Sequence, residues 1–134
     1  MVLEILFGVV YAAAALLSLW SMGRLKGFLA ATRSIADRAS LGRFKQLARL
    51  QMHLALAMIG LMGVGLITGM MLIPRHGLPG LGLVLAANVV VLGLGLYHKK
   101  VEVQARTLPT ASPELAEEYG RVSETWVKKA LPDF

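Results

Sequence analysis

Two uncharged apolar segments, separated by a short polar turn, occupy the centre of the sequence. Residues 50–74 contain no Asp, Glu, Lys or Arg, and after Arg75 and His76 a second such segment covers residues 77–98. A helix rises about 1.5 Å per residue and the hydrocarbon core of a bilayer is about 30 Å thick, so each segment is long enough to cross a membrane. The sequence therefore predicts a transmembrane hairpin, preceded by a third span over residues 5–23.

The composition agrees with this prediction. Hydrophobic residues make up 56% of the chain and charged residues 16%, whereas soluble domains carry about 25% charged residues. The predicted fold class is an all-α integral membrane protein with three transmembrane helices, cytoplasmic helical extensions and an amphipathic C-terminal helix. We expect residues 1–106 to form the three-span bundle, including a basic loop at residues 24–49, and residues 107–134 to form the cytoplasmic C-terminal helix.

The excess positive charge is confined to the basic loop. Residues 24–49 hold seven of the fourteen basic residues against a single acid, Asp37, whereas residues 99–134 hold six of each sign. The positive-inside rule places such a loop in the cytoplasm, so the N-terminus is expected outside and the C-terminus inside, as in the inner (plasma) membrane of a bacterium. Anionic lipid headgroups at the basic loop account for the charge, and a nucleic-acid partner is not expected.

The first apolar segment differs from a cleaved signal peptide in where its charges lie. Its basic residues follow the apolar run, and the only charge before that run is Glu4. A signal peptide carries its basic residues in front. We therefore expect residues 1–23 to remain in the mature protein.

The basic loop has the spacing of an amphipathic helix. A break is expected around residues 37–42, where Ser40 can cap the next helix. Two arrangements remain open: two long helices joined by a tight turn, or a helix lying flat in the membrane interface. The positions that carry the pattern are Leu25, Phe28, Leu29, Thr32, Ile35, Ala36 and Ala39.

The C-terminal segment has the signals of a separate helix. Ser112 and Pro113 are typical of an N-cap followed by the first helical residue. Because the next apolar residues repeat at helical spacing, they form one face that must pack on something. That face either packs on the protein's own cytoplasmic helices or docks a partner protein. Its residues are Leu115, Tyr119, Val122 and Trp126.

Small residues recur on the predicted spans. Gly65 and Gly69 form a GxxxG pair on the second span, and such pairs let membrane helices approach closely, within a chain or between copies. Thr68 and Asn88 are expected at similar depth on the two arms of the hairpin, because each lies about ten residues from the turn. An interhelical hydrogen bond is the simpler interpretation, and a polar site for a substrate or quinone is the alternative.

Two histidines supply the best chemical hypothesis in the sequence. His53 and His98 lie near the same end of the predicted hairpin. Neutral imidazoles on adjacent helices are suitable axial ligands for a b-type haem, or single ligands for chlorins. The alternative is two ordinary interfacial histidines beside Arg49 and Lys99.

The function predicted from these features is non-enzymatic. No paired carboxylates lie in or near a span, and no HExxH, GxSxG or phosphate-binding loop is present. We expect a small accessory or organising subunit of a membrane complex, which acts through helix packing and cytoplasmic docking with other membrane subunits or with itself. The alternatives are a haem- or chlorin-binding electron-transfer or pigment subunit and a homo-oligomeric channel or transporter.

Overall fold

The protein is entirely helical in its computed structural model, which describes residues 1–134. Three of the four helices contain an apolar window long enough to cross a membrane, which confirms the predicted all-helical fold with three helices of that length. The fourth is the short amphipathic helix expected near the C-terminus. The helices are α1 (Val2–Ala31), α2 (Arg38–His76), α3 (Leu78–Arg106) and α4 (Pro113–Lys128).

The helices form two compact units. The first, here called the apolar unit, comprises Met1–Trp20 and Ala57–His98, and the second, the charged unit, comprises Ser21–Leu56 and Lys99–Phe134. Helices α1, α2 and α3 each contribute residues to both units, whereas α4 belongs only to the charged unit. This division differs from the expected boundary after residue 106, because the long helices continue beyond their apolar segments and their ends fold with α4.

The apolar unit has a small core. Five hydrophobic residues are buried together, and six partly buried ones pack against them. Phe7 and Tyr11 form a tilted ring pair with centroids 4.5 Å apart. Most of the other large side chains of this unit are exposed. The buried residues are Phe7, Tyr11, Ala14, Leu72 and Val91.

The charged unit has a larger core centred on an aromatic cluster. The Phe44 ring is fully buried, and its centroid lies 5.9 Å from that of Phe28, 4.5 Å from that of Tyr119 and 5.9 Å from that of Trp126. These four rings come from α1, α2 and α4. Aromatic pairs at such distances stabilise a core beyond their buried area. The cluster therefore joins the start of α2 to the end of α1 and to α4.

The turn between α1 and α2 lies earlier than the sequence predicted. Helix α1 continues to Ala31 and α2 begins at Arg38, so the break covers residues 32–37. The Asp37 carboxylate is the cap: it accepts the Ser40 amide hydrogen at 2.7 Å, and the Ser40 hydroxyl accepts from the Asp37 amide at 3.1 Å. Ser40 is therefore the third helical residue and not the cap, since these reciprocal bonds form a capping box. Two long helices joined by a turn is the arrangement found.

A short backbone bridge fixes the start of α4. The Ile35 amide donates to Pro109 O at 2.8 Å, and the Ala111 amide donates to Ile35 O at 3.0 Å. The Ser112 side chain then accepts from the Leu115 amide, with Pro113 at the first helical position, as the sequence predicted. Because Ile35 is fully buried, the bridge places α4 against the core of the charged unit.

Candidate functional site

The apolar face of α4 is buried within the protein's own charged unit. Tyr119, Val122 and Trp126 belong to its core, and Leu115 packs against that core as a partly buried residue. Of the two interpretations that the sequence left open, the structure has the internal one. This corrects the assignment of Leu115, Tyr119, Val122 and Trp126 to partner docking, because side chains that fill a core offer no surface to a partner.

The Tyr119 hydroxyl anchors α4 to the end of α3. It donates to Ala105 O at 2.6 Å and accepts from the Leu108 amide at 3.0 Å. Burial raises the pKa of this phenol above its ordinary value, because a low-dielectric environment disfavours the phenolate. The hydroxyl therefore stays protonated and serves as a structural donor and acceptor.

The two glycines of the GxxxG pair lie where helices of the apolar unit approach closely. A Cβ atom added at Gly65 would lie 2.9 Å from Tyr11 Cε2, on α1. A Cβ atom at Gly69 would lie 3.2 Å from both methyl groups of Val84, on α3, and 3.3 Å from Phe7 Cε2. Both positions thus allow contacts within this chain, and Gly69 lies between α1 and α3.

Thr68 and Asn88 do not form the expected interhelical hydrogen bond. The Thr68 hydroxyl donates to the carbonyl oxygens of Val64 at 2.9 Å and Gly65 at 3.0 Å. The Asn88 amide donates to Val84 O at 2.8 Å. Each side chain therefore satisfies its donor on its own helix, one turn back, which is a common solution for short polar side chains in apolar helices.

His53 and His98 fall in different compact units, the charged and the apolar unit respectively. His53 is exposed, and its Nδ1 lies 2.7 Å from Arg49 O. Because a carbonyl oxygen only accepts, Nδ1 carries the hydrogen, and in the neutral ring Nε2 holds the lone pair. His98 is half-buried. Gly60 and Gly95 lie within two helical turns of these histidines, and missing side chains there would leave room for a macrocycle. Both face open space, since an added Cβ would meet nothing within 4 Å.

Ion pairs and caps hold the surface of the charged unit. Lys45 on α2 donates to the Glu118 carboxylate on α4, and this bond lowers the pKa of Glu118. The pKa of Asp37 is lowered chiefly by the hydrogen bond from the Ser40 backbone amide. On α3, Glu102 accepts from Lys99 at 2.9 Å and from Arg106 at 3.1 Å. These contacts neutralise acids locally and leave much of the basic segment 24–49 exposed.

A buried polar pair joins α1 to α2 in the charged unit. The Ser21 hydroxyl donates to Gln51 Oε1 at 2.5 Å, and Gln51 Nε2 donates to Ser21 O at 3.1 Å. Sequence reasoning missed this pair. The available signal was Gln51, an amide at the very start of a segment without charged residues, since a buried amide needs a partner.

A groove of about 540 Å³ lies between the same two helices. We call it the arginine groove. The sequence shows its arginines among the basic residues of the loop, but it does not show that they line one groove. The available signal was the spacing of Gly23 and Gly27, which leaves one side of α1 without side chains at two successive turns. Its principal lining residues are Arg24, Gly27 and Phe28 from α1 and Arg43, Leu47 and Leu50 from α2.

Comparisons with known proteins add no relative from which a function could be carried over. No protein-family model, no curated protein and no solved structure matches this chain. The chemistry of the two units and of the arginine groove is therefore the basis for a functional proposal.

Proposed function

We propose that this chain is an integral membrane subunit whose apolar unit lies in the bilayer and whose charged unit lies in the cytoplasm. It acts without catalysis, by associating with other membrane subunits or with a second copy. One observation carries the proposal: the two units expose opposite kinds of side chain. Of the large hydrophobic side chains that are exposed, all but Leu56, Val103, Val127 and Leu131 belong to the apolar unit.

The charges show the same division. Within the apolar unit, Glu4 and Arg75 are the only Asp, Glu, Lys or Arg residues, and every other one belongs to the charged unit. An exposed apolar surface of this extent is unfavourable in water, whereas lipid tails solvate it without cost. Helices are also suited to lipid because they satisfy their backbone hydrogen bonds internally. A bilayer around the apolar unit is therefore the environment that matches its surface.

The orientation follows from the basic segment. Residues 24–49, with their seven basic side chains, lie within the charged unit. Lys and Arg close to the ends of a span favour the cytoplasmic side. We therefore place the charged unit in the cytoplasm and the turn between α2 and α3 outside.

Helix α3 is the proposed contact for another membrane helix. Only 6% of its apolar window is buried within the protein, against 28% for α1 and 22% for α2. Gly82, Ala86 and Gly93 share one exposed face of α3, and a Cβ at either glycine would meet nothing within 4 Å. Small residues permit the close backbone contact that drives helix association in lipid.

The orientation can be tested by labelling introduced cysteines, since the chain has none of its own. Ala36→Cys, Leu78→Cys and Gly120→Cys alter exposed positions without changing charge. A membrane-impermeant maleimide should label Leu78→Cys in intact cells, and the other two only after permeabilisation. Labelling of Ala36→Cys in intact cells would contradict the proposed orientation.

Association can be tested on α3 with the same background. Ala86→Cys should form a disulfide-linked species in oxidised membranes, either with itself or with a helix of another subunit that carries a cysteine at the contact. A matched control is Leu16→Cys, an exposed position on α1. If native-gel mass shows a monomer for the unmodified protein and neither variant cross-links, the subunit role is wrong.

A second candidate function, haem or chlorin binding, is favoured by one observation at His53. Its Nδ1 hydrogen is held by Arg49 O at 2.7 Å, and an imidazole fixed in this way ligates a metal through Nε2. Added haemin should then give a Soret band that His53→Ala abolishes and His76→Ala retains. Colourless protein that takes up no haemin would exclude this function.

A further inference from the structure

We propose that the arginine groove binds the phosphate of an anionic phospholipid. This inference rests on the proposed membrane location. The groove lies wholly within the charged unit, between α1 and α2, and combines two guanidinium groups with apolar side chains. Its volume of about 540 Å³ falls within the range of small-molecule sites, roughly 300–1,000 Å³.

Two contacts fix the register of α1 against α2 at the groove. Ser21 is hydrogen-bonded to Gln51, and the Phe28 ring contacts the Phe44 ring. In this antiparallel register Arg24 of α1 lies level with residue 48 of α2, and Arg43 of α2 lies level with residue 29 of α1. The two arginines are therefore about five residues apart in height, or roughly 7.5 Å at the helical rise.

Such a spacing suits a phosphate held between two long side chains. Guanidinium groups reach several ångströms from the backbone and bind phosphate oxygens through paired N–H donors. Gly27 leaves the wall of α1 open between them, because an added Cβ would meet nothing within 4 Å. The groove therefore has room for a headgroup where most helix pairs would present side chains.

The rest of the groove matches the upper part of an acyl chain. Phe28 and Leu47 line it, and Leu50 lies at the end where the charge-free segment 50–74 begins. A soluble phosphate ester would gain nothing from this apolar end. A lipid would place its phosphate beside the arginines and its tails toward the hydrocarbon, which is why we assign the site to a lipid.

The surroundings favour an anionic lipid over a zwitterionic one. Asp37 is the only acid in residues 24–49, and its carboxylate is engaged by the Ser40 amide at 2.7 Å. Glu118, from α4, is paired with Lys45. A choline headgroup would bring a positive charge beside the arginines, whereas phosphatidylglycerol brings only its phosphate and hydroxyl groups.

Native mass spectrometry of the full chain in neutral detergent measures the binding directly. The probes are phosphatidylglycerol, phosphatidylcholine with the same acyl chains, and sn-glycerol 3-phosphate as the headgroup without tails. We expect the first lipid added to be phosphatidylglycerol, with at least about tenfold preference over phosphatidylcholine. An Arg24→Gln/Arg43→Gln variant should lose about 25-fold in phosphatidylglycerol affinity, since each basic residue near an anionic headgroup contributes about fivefold.

Matched variants separate the groove from general electrostatics. Arg33→Gln/Arg38→Gln removes the same charge from the same exposed segment outside the groove, and should change the affinity less than about twofold. Gly27→Leu fills the groove with all charges retained and should lower the affinity, whereas Gly120→Leu, also at an open position, should not. Circular dichroism identifies any variant that fails to fold. If a double-arginine variant does, the effect of Gly27→Leu on lipid affinity tests the groove in its place.

Three results would overturn the inference. They are equal affinity for the two lipids, equal losses in the two double-arginine variants, and displacement of phosphatidylglycerol by equimolar sn-glycerol 3-phosphate, which would assign the site to a soluble phosphate ester. The cysteine labelling described above is independent of these measurements. Protein that fails to insert contradicts the proposed function, whereas inserted protein without lipid preference contradicts only the groove.

Discussion

The apolar unit and the charged unit are built from the same three long helices, yet they differ in which side chains they hide. In the charged unit Phe44, Leu25 and Val122 are fully buried and most charges are outside. In the apolar unit only six hydrophobic residues are buried, five of them in one cluster, and most of the large ones are exposed. A helix backbone satisfies its own hydrogen bonds in either solvent. The difference therefore lies in the side chains, because the charged unit buries its large apolar residues and the apolar unit exposes most of them.

The contrast can be followed along a single helix. Helix α3 runs from Leu78 to Arg106. Residues up to His98 belong to the apolar unit and residues from Lys99 onward to the charged unit. Glu102, with Lys99 and Arg106 as partners, lies just beyond the change. The same helix thus presents mainly apolar side chains over its first part and charged ones over its last.

The largest expected effect comes from the core of the charged unit. Phe44→Ala should lower the free energy of unfolding by about 3–5 kcal/mol, because it leaves a cavity among three aromatic neighbours. Leu85→Ala removes a leucine that is 57% exposed, and should change stability by less than about 0.5 kcal/mol. Denaturant titration in detergent, followed by near-ultraviolet circular dichroism, measures both. Similar losses in the two variants would mean that Leu85 is covered by protein and not by lipid.

A charge placed on either end of α3 tests the assignment of solvents. Leu85→Arg should raise the apparent free energy of membrane insertion by about 2.5–3.5 kcal/mol, since arginine near the centre of a span is unfavourable. Val103→Arg is the matched control on the same helix, because Val103 is similarly exposed, at 42%, but lies in the charged unit. It should leave insertion unchanged in a glycosylation-based assay. Equal effects at both positions would contradict the division between the units.

Helix contacts within the apolar unit can be tested at its glycines. Gly65→Ala should destabilise the protein by about 1–3 kcal/mol, because its Cβ would overlap Tyr11 and crowd a packed interface. Gly60→Ala, which meets open space, should be neutral or slightly stabilising, since alanine is the better helix former. Thermal unfolding in the same detergent compares them. An unaffected Gly65→Ala would show that α1 and α2 do not depend on this close approach.

Long apolar runs were sufficient to predict the three membrane-length helices, because lipid imposes one length and one composition on any span. The Ser112–Pro113 start of α4 was also predictable, since capping is local chemistry. The turn before α2 was misplaced, because Asp37 and Ser40 both have capping side chains and only the fold decides between them. Periodicity identified the apolar face that contains Tyr119 and Trp126. It did not identify the surface on which this face packs, because any apolar surface could cover it.

Features that depend on two helices meeting were beyond the sequence. Spacing predicted Thr68 and Asn88 at one depth, but each side chain donates its hydrogen bond to a carbonyl oxygen of its own helix. Conversely, Ser21 and Gln51 met because the register of α1 against α2 brought them together. The arginine groove arises from the same register. A single sequence gives the faces of helices, whereas their register is set by packing.

Two tyrosines of similar burial sharpen the comparison between the units. Tyr119 is 6% exposed and its hydroxyl makes two hydrogen bonds, whereas Tyr11 is 8% exposed and its hydroxyl makes none. Tyr119→Phe should therefore cost about 1–2 kcal/mol of unfolding free energy, because Ala105 O and the Leu108 amide lose their partner. Tyr11→Phe should be neutral or stabilising. The opposite ranking would mean that Tyr11 has a hydrogen-bond partner in the membrane, such as a lipid or another subunit.

The smallest expected effect is the dependence of the charged unit on acid. The Ser40 amide holds the pKa of Asp37 below its ordinary value in the folded protein, whereas in the unfolded chain it lies at about 3.9. A lowered folded pKa means that this carboxylate stabilises the fold fully when the pH is above its pKa in the unfolded chain. It stops doing so as the pH falls through its pKa in the folded protein.

Asp37→Asn retains a capping side chain but cannot titrate. Its melting temperature should consequently fall less than that of the unmodified protein between pH 5 and pH 3, measured by circular dichroism. Both curves will decline, because Glu118, Glu124 and Asp133 also have lowered pKa values, so the difference between the curves isolates Asp37. Parallel curves would show that the cap at the start of α2 contributes no acid sensitivity, and that the charged unit loses stability in acid only through its ion pairs.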